Sequence, residues 1–407
     1  MTPTRKCLSE VQPIDAEDEM DHVEGLSREE LDAVKVDQVG GNPPANAQQQ
    51  ADDEAEAWMG QWGKGTKVEP LIWPSDMRDD LARILREELI EASNTFPNHT
   101  GLGWDRLHPK AIGRLTNGTA DLLVRVLMIC EEEGEWPEAV ELIIIALLPK
   151  TDGGFRPIGL IPFLPRIWSR ARRRCAREWE AKNPRPWLYA GKAKGANVAA
   201  WKQSMTAEAA AAARSTVHYA QALLDLVKAF DRIPLWLLVR EAVALGYPLK
   251  VLRLSIAVYK MTRVIRIGGV VSHSVRALRG ITAGSGFATS EMRLIMMRAV
   301  DAAVKQFPRV NPTLFVDDLA ADVTGPWKHV VKQLGGFIEA VATFVITTGQ
   351  ELSGTKSLCT ASLKELGKEL CDRWAKAGIS IQYKDRVRAL GAGLGAGVRR
   401  NMLVLKE

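Results

Sequence analysis

The sequence predicts an α+β fold, and three observations lead to this prediction. Helical and strand-like periodicities are mixed along the chain without the regular alternation of a parallel α/β sheet. Short runs rich in β-branched residues come in pairs separated by glycine-containing turns, a pattern typical of antiparallel hairpins. In addition, 46% of the 407 residues are hydrophobic and 25% are charged, which suits a globular chain of two or three sub-domains.

Helices are predicted where apolar residues recur at three- and four-residue spacing. The first begins at Ser75 or Asp76 and runs to about Ser93. In the helix after residue 233, Asp231 is predicted to cap the start and Gly246 to end it. The predicted helices span residues 75–93, 122–133, 165–182, 234–245, 289–307 and 330–348.

Strands are predicted where short apolar runs end at turn residues. Residues 142–148 and 155–161 read as a hairpin around Thr151–Gly154, and residues 264–267 and 270–275 as another around two glycines. Two further strand signals end in acidic residues, at 222–227 and within the strand–turn–strand of 313–323. A glycine-rich segment, 390–398, follows the last of these elements.

The first 66 residues are predicted to form a disordered acidic tail, because they are rich in Pro, Gly, Gln and acid and show little apolar periodicity. Residues 1–57 carry 15 acidic and 4 basic residues, a net charge of −11, so the remainder carries +16. Order is expected to begin near Val68. A basic body of this kind suggests a polyanionic partner.

Several function classes lack their signals in this sequence. The longest purely apolar run, Leu142 to Leu148, is seven residues, whereas a membrane span needs about 20, so no membrane association is expected. The N-terminus lacks the apolar stretch of a secretory signal. The five cysteines are scattered without a CxxC pair, and neither GxGxxG after a strand nor a P-loop occurs.

Three aspartates stand where strands end. Asp225 closes an apolar run, and Asp317 and Asp318 lie in a tight turn between apolar segments. A buried carboxylate is costly without a counter-charge, which a divalent cation supplies. Paired cations held by such carboxylates can activate a hydroxyl nucleophile and stabilise a leaving oxygen in phosphoryl transfer. A lone Asp-Asp pair is also ordinary turn chemistry, and this reading stays open at this point.

Seven segments in the order found here resemble the motifs of reverse transcriptases of non-LTR (LINE-type) retrotransposons, over roughly residues 95–397. They are 100–105 (TGLGWD), 146–161 (ALLPK, then FRPIGLI), 225–231 (DLVKAFD), 280–285 (GITAGS), 315–318 (FVDD), 353–357 (SGTKS) and 388–391 (RALG). The chain differs from the family pattern at Ala283, where glutamine is usual.

The resemblance implies a right-hand polymerase core with an antiparallel catalytic sheet and most of the thumb missing. Its fingers would span 67–215, its palm 216–385, and its primer-side hairpin with a truncated start of the thumb 386–407. The implied activity is RNA-directed DNA synthesis on an RNA template with a DNA or RNA primer and deoxynucleoside triphosphates (dNTPs). Such a substrate implies a nuclear or cytoplasmic location. The oligomeric state is not indicated.

The resemblance also implies residue roles. Asp225, Asp317 and Asp318 would hold two Mg²⁺ ions, or Mn²⁺. The other implied roles are triphosphate binding for Lys150 and Arg156, exclusion of a 2′-hydroxyl for Phe230, protonation of pyrophosphate for Lys356, and close approach to the templating pair for Gly284. The structural alternatives are a solvated hairpin tip, a core phenylalanine, a surface lysine and a loop glycine.

A cationic stripe is predicted on the helix 165–182. Its arginines recur every three or four residues and suit a template phosphate backbone, although a solvated face is the alternative. They are Arg166, Arg170, Arg173, Arg174 and Arg177. Two rival functions remain open: a catalytically inactive, reverse-transcriptase-like RNA-binding protein, which Ala283 and the missing thumb motivate, and another two-metal enzyme such as a nuclease.

Overall fold

The computed structural model describes residues 46–77, 81–150, 153–191, 194–213, 217–390 and 392–395. The described α-helices are α1 (Ala47–Gln61), α2 (Arg86–Asn94), α3 (Asn117–Glu133), α4 (Phe163–Lys182), α5 (Ala196–Ala212), α6 (Leu235–Leu245), α7 (Leu249–Tyr259), α8 (Ala288–Gln306), α9 (Trp327–Thr347) and α10 (Lys364–Lys376). The described strands are β1 (Leu142–Pro149), β2 (Phe155–Leu160), β3 (His218–Leu224), β4 (Thr262–Ile267), β5 (Val270–Val271), β6 (Val275–Arg276), β7 (Asn311–Phe315), β8 (Asp318–Gly325), β9 (Leu358–Ala361), β10 (Gln382–Tyr383), β11 (Arg386–Ala389) and β12 (Ala392–Gly395).

These strands form two mixed sheets and a small hairpin, so the predicted α+β class is confirmed. One sheet has the order β2-β1-β4-β5, with β6 also pairing β4. The predicted hairpins β1–β2 and β4–β5 are antiparallel, but β1 joins β4 in parallel, which the sequence did not indicate. The second sheet has the order β10-β9-β3-β8-β7, and β11 pairs with β12.

The second sheet carries the predicted acidic residues, and its three neighbouring strands β3, β8 and β7 are antiparallel. Helix α9 packs across this sheet and against α8 and α10. Leu334, Phe337 and Val341 of α9 are fully buried. By length and composition α9 could cross a membrane, with a mean hydropathy of 1.4, yet half of its apolar window lies inside the protein.

Helix α1 contradicts the predicted disorder for residues 46–66. Its small or aromatic residues recur on one face, where Ala51, Ala55 and Trp58 are buried, and Trp62 beyond its end is 1% exposed. The Gln and acidic residues that lowered the apolar content form the opposite face of the helix. The helix was therefore not predicted, because its buried face consists mainly of alanine and gives a weak apolar pattern. Residues 1–45 of the predicted tail lie outside the described residues.

Other boundaries differ for local reasons. Helix α2 begins at Arg86 rather than near Ser75, because the Glu88 side chain accepts a hydrogen bond from Leu85 N at 2.9 Å and caps the start. Asp231 does not cap α6: the N-cap is Pro234, and Asp231 Oδ1 instead accepts the indole N–H of Trp62 at 3.0 Å. Gly246 ends α6 in a left-handed conformation, as predicted.

Besides α1, three further α-helices were not predicted. Helix α5 is alanine-rich and has almost no amphipathic pattern. Helix α7 is buried on most of its circumference, so no polar face marks its period. Helices α5 and α7 therefore lack the periodic signal, because periodicity detects a helix only where one face meets water and the other meets the core. Helix α10, in contrast, has the apolar face that is typical of an amphipathic helix, with Leu366, Leu370 and Trp374 buried.

A buried ion pair joins α3 to α4. Arg172 Nε donates to Glu131 Oε1 at 2.6 Å, and Arg172 Nη2 donates to Glu131 Oε2 at 2.6 Å. The Trp168 indole also donates to Glu131 Oε1 at 2.7 Å. Both charged side chains are about 5% exposed, so the loss of either leaves the other buried without a counter-charge.

Glu131→Ala is expected to lower the free energy of unfolding by about 3–5 kcal/mol, because it strands a buried guanidinium. Urea denaturation measures this change. The matched control is Glu132→Ala, the next residue on the exposed face of α3, which should stay within about 0.5 kcal/mol of the wild type. Equal effects from the two variants would contradict the assigned role of the pair.

Candidate nucleotide site

Asp225 leaves the sheet directly after β3. The predicted strand 222–227 ends earlier than expected, at Leu224, which pairs with Leu319 of β8. Beyond this point the chain bonds to the loop 351–357 instead: Asp225 N donates to Ser357 Oγ at 3.1 Å, and Ser353 N donates to Asp225 O at 2.8 Å. The backbone of Asp225 is therefore fixed from two sides at the edge of the β3–β8 pair.

Asp317 and Asp318 lie on the hairpin between β7 and β8. Phe315 pairs with Asp318, so Val316 and Asp317 form a two-residue turn. Val316 has a φ of 56°, a left-handed conformation that a β-branched residue rarely adopts. Two-residue hairpin turns usually place glycine or asparagine at this position. Strain of this kind persists only where the surrounding fold imposes it, and it occurs preferentially at functional sites.

The strand register places Asp225, Asp317 and Asp318 close enough for their carboxylates to affect one another's pKa. Burial raises the pKa of Asp225 and of Asp317, and the charge of Asp225 raises that of Asp317 further. Burial first, and then the charges of Asp317 and Asp225, raise the pKa of Asp318 to about 6. Within the described residues, however, no three acidic, histidine or cysteine side chains are grouped closely enough to hold a metal ion on their own.

Cations from two distant segments face these acids. Lys150 lowers the pKa of both Asp225 and Asp317, and Arg156 lowers that of Asp317. Both stand near the tip of the β1–β2 hairpin, where Lys150 N donates to Gly154 O at 3.0 Å. Lys356, in the turn 353–357, lowers the pKa of Asp225. The structure thus brings together six of the predicted site residues.

Phe230 lies in the turn that follows Asp225. Its side chain is partly buried against the main core, and its carbonyl accepts a hydrogen bond from Ile281 N at 2.7 Å. Lys228, two residues earlier, has a φ of 50°, which turns the chain back toward the body. Phe230 is therefore held both by its ring and by its backbone.

Gly284 contacts protein backbone. Its φ is 103°, and a Cβ there would lie 2.6 Å from the carbonyl oxygen of Gly159 on β2. The neighbouring Ala283 O accepts from Gly159 N at 2.8 Å. The glycine is required for this contact between the loop 280–285 and β2, whether or not a templating base also approaches.

The arginine stripe divides into two parts along α4. Arg166 donates to the carbonyl of Gly101, and burial lowers its pKa to about 10 despite the nearby charge of Asp105. Arg170 lies 4.6 Å from the ring centroid of Phe96. These two arginines hold the segment 96–105 against the helix, and Asp105 Oδ2 accepts from Phe163 N at 2.6 Å.

The other three arginines lie nearer the C-terminal end of α4. Arg174 and Arg177 are exposed and Arg173 is half-buried. Arg174 Nε also contacts Glu178 Oε1 at 3.3 Å. The predicted stripe is therefore not uniform in the structure, because Arg166 and Arg170 pack against the segment 96–105.

Residues near the N-terminal end of the described chain also contact the turn after Asp225, and they were not predicted to belong to the site. Residues 47–62 are here called the α1 region. Within it, Trp58 contacts Lys228 and Trp62 contacts Asp231. Their signal was a pair of tryptophans four residues apart, a helical spacing, inside a segment whose overall composition is polar.

Comparison with known proteins gives no further assignment. No protein-family model matches the chain, and no curated protein sequence is significantly similar to it.

Asp318→Asn is expected to stabilise the protein at pH 8. Folding raises the pKa of Asp318 from its ordinary value of 3.8 to about 6. The stability contributed by the protonated acid is thus complete below pH 3.8 and is lost as the pH rises through about 6. The neutral amide avoids this loss. Although its carboxyl group is partly desolvated, the residue Asp318 as a whole is exposed, so solvent screening limits the gain to about 1 kcal/mol or less.

Thermal unfolding of both proteins at pH 5 and pH 8, in a chelating buffer, measures the gain. It should be larger at pH 8. Asp372→Asn, at an exposed position of α10, is the control and should show no such dependence. A gain of equal size at both pH values would exclude the ionisation of Asp318 as its cause.

Proposed function

We propose that this protein is an RNA-directed DNA polymerase of the non-LTR retroelement type, with a right-hand polymerase core. The observation that carries the proposal is the meeting of Asp225, Asp317 and Asp318 at the end of antiparallel strands, facing cations from the β1–β2 hairpin and the turn 353–357. In this proposal the sheet containing β3, β8 and β7 is the palm, and β1 and β2 belong to the fingers.

The spatial arrangement supports the motif order. Hairpin cations, the first acid, the Gly284 loop, the paired acids and the lysine turn are far apart in the sequence. The described contacts join them pairwise: Gly284 to Gly159, and Asp225 to Ser357. Unrelated turn acids and surface lysines would have no reason to meet in this way.

The carboxylates fit a site for divalent cations. They supply only oxygen donors, and they are partly buried beside one another, so that their pKa values rise in the absence of a counter-charge. Mg²⁺ commonly uses one or two protein carboxylates together with water and substrate phosphates, which suits a group that does not close on an ion by itself. Two bound cations would supply activation of the primer hydroxyl and stabilisation of the leaving oxygen.

The chain's own residues have distinct tasks in the proposed reaction. Lys150 and Arg156 bind and orient the triphosphate of the incoming nucleotide. Lys356 protonates the departing pyrophosphate. Phe230 lies beneath the sugar and excludes a 2′-hydroxyl. Along α4, the C-terminal arginines 173, 174 and 177 contact the phosphate backbone of the RNA template.

Wild-type protein is expected to extend oligo(dT) on poly(rA) with Mg²⁺ or Mn²⁺. The variant Asp317→Ala/Asp318→Ala should reduce extension to background, because the cation ligands are lost while the hairpin pairing of β7 and β8 remains. Primer extension measured by gel electrophoresis checks this outcome. Asp372→Asn serves as the matched acidic control and should retain the wild-type rate.

Duplex binding by fluorescence anisotropy should be similar in all three proteins, which shows that lost extension is not lost folding. A folded wild-type protein that binds the duplex without extending the primer would overturn the proposal. Metal-dependent nicking without any requirement for dNTPs would instead identify a nuclease.

Phe230→Ala is expected to raise the use of ribonucleotides relative to deoxynucleotides by roughly tenfold or more, because it removes the ring that excludes one hydroxyl group. Phe230→Tyr keeps a ring at this position and should keep the discrimination. Single-nucleotide incorporation with dTTP and UTP gives the ratio of kcat/KM. If Phe230→Ala and Phe230→Tyr behave alike, the ring does not select the sugar.

Two observations favour a second candidate, an inactive RNA-binding protein with the same core. Asp225, Asp317 and Asp318 interact electrostatically but do not form a closed metal-binding group within the described part of the chain. In addition, Ala283, beside Gly284, stands where the family that the chain resembles usually has glutamine. RNA binding that is unchanged in Asp225→Ala, together with no extension by the wild type, would favour this candidate.

A further inference from the structure

Trp62 joins three segments that surround the proposed nucleotide site. Its indole Nε1 donates to Asp231 Oδ1 at 3.0 Å, across 169 residues of sequence. Its carbonyl accepts from Leu278 N at 2.9 Å. The guanidinium of Arg263 lies 4.5 Å from the centroid of its ring. Through the first two contacts, Trp62 holds both the turn after Asp225 and residue 278, which lies just before the loop 280–285.

Other contacts of the α1 region continue this connection. The ring of Trp58 stacks on that of Trp62 at 5.7 Å, and Lys228 Nζ lies 4.2 Å from the centroid of Trp58. Arg232 Nε donates to Gln61 Oε1 at 2.9 Å. The residues on both sides of Phe230 are therefore contacted by this region.

The two held loops also pack directly on each other. Gly280 N donates to Ile233 O at 2.8 Å, and Ile281 N donates to Phe230 O at 2.7 Å. A Cβ at Gly280 would lie 2.5 Å from the carbonyl oxygen of Asp231. These two hydrogen bonds and the close approach of Gly280 to Asp231 leave no space for one loop to shift without the other. The position of Phe230 therefore depends on the contacts that hold Asp231.

The bond between Trp62 and Asp231 matters because the carboxylate is poorly hydrated. Burial raises the pKa of Asp231, and the Trp62 hydrogen bond, followed by the charge of Arg263, opposes that rise. Arg263 is itself buried, which lowers its pKa to about 10. Loss of the indole donor leaves a half-buried carboxylate short of a hydrogen-bond partner, and we expect the turn to move to recover one.

We propose that Trp62 is a positioning residue for sugar selection: its indole N–H fixes Asp231, and thereby sets the position of Phe230 relative to the loop 280–285. This inference rests on the proposed polymerase function and adds a residue from outside its motifs. It assigns the α1 region to the nucleotide site.

The test is Trp62→Phe, which keeps an aromatic ring beside Arg263 and removes the Nε1 donor. The kcat/KM ratio for dTTP over UTP is expected to fall roughly tenfold, because a small displacement of the selecting ring changes the fit of the sugar. The matched control is Trp374→Phe. Trp374 is fully buried between α9 and α10, and its Nε1 donates to Gly335 O at 3.1 Å. Its loss should leave the ratio unchanged.

A readout independent of catalysis accompanies the ratio. Amide hydrogen exchange at residues 228–233 and 278–281 should be faster in Trp62→Phe than in wild type and unchanged in Trp374→Phe. Asp231→Ala removes the same bond from its other end. It should reproduce both effects, and the double variant should add little to either single one.

The outcomes separate the two proposals. If the wild type extends primers and Trp62→Phe keeps both the ratio and the exchange rates, the inference is overturned. It is equally overturned if the two tryptophan variants lose discrimination alike. If the wild type extends no primer, the proposed function fails together with sugar selection, while hydrogen exchange still decides whether Trp62 positions the segment. Should Trp62→Phe not fold, Asp231→Ala carries the same comparison.

Discussion

The antiparallel register of β3 against β8 is the constraint on which the candidate site depends. Pairing of Leu224 with Leu319 places Asp225 beside the first residue of β8. Strand β8 is also the second strand of the β7–β8 hairpin, so Asp317 and Asp318 come to the same end of the sheet. A slip of one residue would turn every side chain of β3 to the opposite face and separate the acids.

The hydrophobic core enforces this register at the cost of local strain and charge repulsion. Leu319, Ala321 and Val323 of β8 are buried, and they pack with β3 beneath α9. The turn residue Val316 adopts a left-handed φ that its own side chain disfavours. The site therefore combines a strained turn with repelling carboxylates, and both are maintained by burial elsewhere in the sheet.

Much of this arrangement could be predicted from the sequence. The hairpin β1–β2, the strand before Asp225 and the turn at 316–317 were visible because their apolar runs end sharply in glycine or acid. What could not be predicted is how segments meet. The parallel pairing of β1 with β4 has no local signal in the sequence. The sequence also does not distinguish Arg166, which donates to the carbonyl of Gly101, from the exposed arginines of the same helix. Helix α1 was missed because an alanine face contributes little to apolar periodicity.

The ordered α1 region has a practical consequence for defining the folded unit. Composition alone would place its boundary near Val68, as the polar and acidic residues before it suggest. A fragment cut there would lose the ring that covers the buried guanidinium of Arg263 and the carbonyl that accepts from Leu278. Water would then enter beside a charge that the fold keeps dry. Such a fragment could remain soluble and still differ from the intact protein in its properties. The N-terminal boundary of an expressed fragment should therefore lie before Ala47.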